Sequence, residues 1–121
     1  MSGKVGDNLF RASGVIAAAA GGGLSWQAVV TGTTQTAEAG KGYFIDTTSN
    51  VCTVTLPAGT IGDEVALVDY AGTFDSNNLT VAPDGSEKIV ASTDDLTVAV
   101  ERAAFTLVYT DGTQGWLLKD N

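Results

Sequence analysis

Histidine is absent from this chain, and cysteine occurs once, at position 52. The first absence removes the side chain most often used for proton transfer near neutral pH, which is also the commonest metal ligand. The second excludes an intrachain disulfide and a cysteine-rich zinc site. Cations are scarce too: 6 Lys and Arg stand against 14 Asp and Glu, for a formal net charge of -8. Phosphate binding needs clustered Lys and Arg, so no nucleic acid partner is expected. Long apolar runs are also missing. Residues 15–20 fall short of the ~7–15 residues of a secretory apolar region and of the ~20 that a membrane span requires. No cofactor, metal or membrane partner is expected, and the chain reads as a soluble protein made in the cytoplasm.

What is present divides in two. Residues 1–23 carry Lys4 and Arg11 against Asp7, whereas residues 24–121 hold every other charge and are strongly acidic. The opening segment runs "RASGVIAAAAGGGLSW" from Arg11 to Trp26. Its side chains are too small to build a core, and Gly21, Gly22 and Gly23 make a hinge. Residues 1–23 read as an attachment arm whose anchors are Leu9, Phe10, Arg11, Val15 and Ile16. Extended at ~3.3 Å per residue, the arm reaches on the order of 75 Å. Alone it buries too little to offset its ordering entropy. The competing reading is a short helix packed on its own domain, since alanine is the best helix former.

Residues 24–121 read as an all-β body, an antiparallel sandwich or barrel. Short runs rich in Val, Thr, Leu, Tyr and Phe recur between Gly, Asn, Asp and Pro clusters. The expected strands are 26–31, 43–47, 51–56, 64–70, 79–82, 88–91, 96–100, 104–110 and 115–119. Alternation assigns faces. Cys52, Val54 and Leu56 share one, as do Leu96, Val98 and Val100, and Phe105, Leu107 and Tyr109. The stretch "EVALVDY" is apolar on both, with Val65 and Leu67 opposite Ala66, Val68 and Tyr70. Such a strand is either central or pressed against a second subunit. Val65, Leu67, Val68 and Tyr70 are therefore the candidate subunit interface. Asp84-Gly85 and Asp111-Gly112 mark tight reversals, the second joining the last two strands as a hairpin.

Catalytic patterns are missing from what is there. "DGSE" and "DSNN" lack the spacing of a calcium loop and read as solvated turns. Asp94-Asp95 reads as a loop ahead of a strand. The serines have no histidine to activate them and no G-x-S-x-G elbow. A carboxylate pair for glycoside hydrolysis is a spatial matter, but the loops are short for a substrate cleft. Tyr43, Tyr70, Trp26 and Trp116 are candidates either for core or seam packing or for stacking on a sugar. The expectation is a non-enzyme.

Three stretches, "GKGYFIDTTSNVCTVTLP", "GDEVALVDYAGTFDSNNLTVAPDG" and "FTLVYTDGTQGWLL", resemble a module of tailed-bacteriophage virion proteins over about residues 40 to 118. It occurs in tail-fibre proteins and in short capsid-associated proteins. The resemblance implies a β-rich, trimeric, non-enzymatic component of the virion. The chain has no long stalk, no heptads and no second module, so its length favours a capsid decoration or cement protein. The arm would then grip the major capsid protein or neighbouring copies. The alternative is a tail or fibre-tip module that recognises a host surface glycan.

Overall fold

A computed structural model of the chain describes residues 23–119. They form two sheets and no helix. In chain order the strands are β1 (Ser25–Trp26), β2 (Thr34–Thr36), β3 (Lys41–Ile45), β4 (Cys52–Thr55), β5 (Glu64–Asp69), β6 (Leu79–Ala82), β7 (Leu96–Val98), β8 (Ala104–Tyr109) and β9 (Trp116–Leu118). One sheet has the order β1-β3-β5-β8-β9, the other β2-β4-β6-β7.

The all-β reading holds, but the pairing is mixed rather than antiparallel throughout. β1, β3 and β5 run parallel in the first sheet; β2, β4 and β6 run parallel in the second. From β1 to β6 the chain alternates between sheets and so winds like a short solenoid. Parallel neighbours need a crossover of a dozen or more residues, usually helical. Here each crossover is itself a strand of the facing sheet. Antiparallel pairing begins only with β7, β8 and β9. Period-two alternation reports which face a side chain takes and is blind to the direction of the neighbouring strand, which is why the winding is hidden in the sequence.

The core between the sheets follows the alternation closely. Cys52, Val54 and Leu56 are buried together with Leu79 and Val81 of β6. From the other sheet come Tyr43, Ile45, Val65, Leu67, Leu107 and Trp116. Three elements differ from expectation. The strand expected over 26–31 is reduced to Ser25–Trp26 and an isolated bridge from Val30 to Ile45. β2 is an additional strand, hidden because "TQT" is short and offers no apolar alternation. Residues 88–91 form a turn instead of a strand: Ile89 and Ser92 exchange backbone bonds of 2.8 and 3.1 Å around Val90 and Ala91, whose φ values are +48° and +65°. The closing hairpin is as expected, although its geometry rests on different residues. Asp111 Oδ1 accepts the N–H groups of Thr113 and Gln114 at 3.0 and 2.9 Å, and the positive φ of +74° falls on Gly115, not Gly112. A Cβ at Gly115 would strike the Lys88 carbonyl, so glycine is needed where β9 enters the sheet.

Candidate functional site

The outward face of the five-stranded sheet is apolar around Trp26, Phe44 and Val68, and it carries a Glu64–Lys119 ion pair of 3.4 Å beside Val108. Register places Trp26, Gly42, Ala66 and Thr106 in one row and Phe44, Val68 and Ala104 in the next. Val108 and Leu117 pair in a third. The Trp26 ring lies on Phe44 at a centroid distance of 4.9 Å and an interplanar angle of 27°. It also roofs Gly42, where a Cβ would run into the indole. Glycine at this position therefore lets the aromatic lie flat on the sheet. Trp26 nonetheless keeps 47% of its surface exposed. The other sheet presents a different outward face, a row of Thr34, Thr53, Thr80 and Thr97. Hydroxyls and methyls of β-branched residues suit a solvated strand surface.

Asp69 organises the end of the molecule beside this apolar face. It ends β5 on the core side, level with Ile45, and is almost fully buried. Its carboxylate accepts four backbone N–H groups. Oδ1 takes those of Gly72 and Thr73 at 2.9 and 3.1 Å, and Oδ2 takes those of Phe74 and Arg102 at 3.1 and 2.9 Å. Burial pushes the carboxyl upward, but the four N–H donors outweigh it and hold the group below its ordinary value. One side chain thus ties the β5–β6 loop to the corner before β8. Thr47 and Thr73 share a hydroxyl bond of 2.7 Å, and Asn77 Nδ2 donates to the Thr47 carbonyl at 2.8 Å, closing the same end. The Arg102 guanidinium donates to the Tyr70 carbonyl at 2.9 Å, and Tyr70 stands 51% exposed there.

Of the four candidate interface residues, Val65 and Leu67 belong to the molecule's own core and are fully buried. The outward side keeps Val68, half-buried, and Tyr70. β5 is the middle strand of its sheet, which accounts for its two apolar faces. Leu9, Phe10, Arg11, Val15, Ile16, Gly21 and Gly22 lie outside the described residues; Gly23 is exposed just ahead of β1. The four aromatics divide: Tyr43 and Trp116 pack the core, while Trp26 and Tyr70 face outward. The acidic turns serve the fold. Glu87 accepts the Gly59 N–H with both oxygens, at 3.0 and 3.2 Å. Asp46 accepts the hydroxyl and N–H of Thr48, which lower its pKa in that order of size. Among the described residues no His, Cys, Asp and Glu converge as a metal-binding group. Cys52 is buried in the core, and burial pushes its thiol pKa up. Sequence reasoning missed Phe44 and Gly42 as parts of the exposed face. The signal was the Gly-x-Phe spacing in β3, which puts both on the side opposite Tyr43 and Ile45.

The described residues thus form a two-sheet body with ordered turns and two exposed aromatics, Trp26 and Tyr70. A family model described as "Bacteriophage T4 gp9/10-like protein, N-terminal" matches residues 2–115, nearly the whole chain. The chain belongs to that family of tailed-bacteriophage virion structural proteins. No curated protein matches it.

Proposed function

We propose that this virion protein works by association alone, as an attachment module on the tail side of the particle. Residues 1–23 grip another virion protein, and residues 24–121 form the head that they carry. Copies assemble as a trimer, with Val68, Tyr70 and the outward Trp26–Phe44 stack at or near the seam. The observation that carries this reading is the apolar outer face of the five-stranded sheet, since burying such a face against a partner is favourable by roughly 25 cal/mol per Å². The expectation of a decoration or cement protein on the capsid gives way here to the tail, which membership in a family of tail or fibre type supports. Three arms on one trimer would add avidity without strong single contacts.

Gold labelling of a tagged chain on intact particles tests the placement. Label confined to tails is the expected outcome. An even coat over the head would mark a capsid decoration protein and overturn the tail placement. The exposed aromatics Trp26 and Tyr70 also fit a module that stacks on a host glycan. Binding of the full chain to a glycan array, together with dispensability for particle assembly, would favour that second reading.

A further inference from the structure

The two sheets do not close on each other at both ends. β7 is the last strand of one sheet and β9 the last of the other, and between them runs an apolar groove of about 380 Å³. Leu96 and Val98 face it from β7, Phe105 from β8 and Leu118 from β9. Val100 at its rim is 66% exposed. The outer edge of β7 has no strand partner among the described residues. A free backbone edge above an unfilled apolar slot is the arrangement that accepts an extended segment as an added strand.

We infer that this groove receives the N-terminal segment of a neighbouring copy of the same chain, with Leu9, Phe10, Val15 and Ile16 supplying the apolar side chains. Three observations choose this occupant. The chain ahead of Gly23 carries those apolar residues, and at ~3.3 Å per residue it reaches well beyond the width of one sheet. That segment departs at β1, at the opposite edge of the sheet from β9. In a head-to-tail ring, the β1 end of one copy therefore faces the groove of the next, the arrangement that closes a cyclic oligomer. Charge agrees as well. Asp94 and Asp95 precede β7 and Glu101 and Arg102 follow it, a net negative flank, whereas the incoming segment carries Lys4 and Arg11 against Asp7 and is net positive. The inference rests on the reading of residues 1–23 as an attachment element and adds where part of that element lodges.

Two variants of the full chain with one added cysteine each, Ile16→Cys and Val100→Cys, test it when mixed and oxidised, both free and on assembled particles. Native Cys52, buried with its thiol pushed upward, stays out of the exchange, and the unsubstituted chain is the control. The expected product is a disulfide-linked pair joining the two variants, suppressed by excess synthetic peptide covering residues 5–20. No link in either setting overturns the inference. So does a link formed only within single chains of the Ile16→Cys/Val100→Cys double variant. If residues 1–20 prove necessary for incorporation into particles while no link forms, the groove assignment falls and the attachment reading stands. If the link forms but particles incorporate the chain normally without residues 1–20, the groove assignment stands and the attachment reading falls.

Discussion

Asp69 shows how much one side chain can settle. A buried carboxylate normally costs stability, yet four backbone N–H groups converge on this one and keep it ionised. Replacing it with Asn leaves the shape and removes the charge, so some of those donors lose their acceptor. Asp69→Asn is expected to cost roughly 2–4 kcal/mol in denaturant unfolding. The pH dependence has a definite sign. The folded pKa is depressed, so the stabilisation is complete above the unfolded value of about 3.9 and is lost as pH falls through the folded value. Stability of the native chain should therefore drop on acidification below about pH 4, and Asp69→Asn should flatten that part of the profile. An unchanged acid limb in the variant would remove Asp69 from this role. In the sequence Asp69 is just the residue that interrupts an apolar face; that it receives four donors depends on two loops far apart in the chain.

Among the elements, the turn at Ile89–Ser92 is the one most at odds with its residues. Both central positions have positive φ, where Asn-Gly is favoured and a β-branched Val is strained. Val90 is half-exposed, so little packing is forfeited by replacing it. The double substitution Val90→Asn, Ala91→Gly is expected to raise stability by about 1–2 kcal/mol. Thermal unfolding checks this, and a lowered midpoint would mean that Val90 contributes packing beyond its exposure. The same turn explains a limit of the sequence. "KIVA" carries β-branched residues and reads as a strand, but backbone bonds from Val90 and Ala91 to the Trp116 and Gln114 carbonyls bend it into a hairpin tip. Burial was legible where alternation was strict, as in "VCTVTL", whereas "EVALVDY", apolar on both faces, did not tell its core side from its outer one. Strand direction was not legible, because the parallel winding depends on which sheet each loop crosses to. The outer apolar face was half legible: Val68 and Tyr70 appeared on it, but Phe44 and the Gly42 that seats Trp26 did not.

For the whole molecule, the uneven charge is a physical clue to assembly. An acidic body with few cations repels its own kind at long range, so copies must meet through apolar or oppositely charged surfaces. In the proposed assembly, the apolar part of the outer sheet face and the weakly basic N-terminal segment serve as those surfaces. The body's two sheets bury a continuous core of their own, so removing the segment should leave the fold intact while removing the proposed means of attachment. The most direct measurement is the copy number of this chain on purified particles, determined with the full chain and with residues 1–20 deleted. Full occupancy for the first and near-complete loss for the second, with the truncated protein folded and unassembled, is the predicted result. Equal occupancy would contradict the proposal that residues 1–23 hold the protein in the virion.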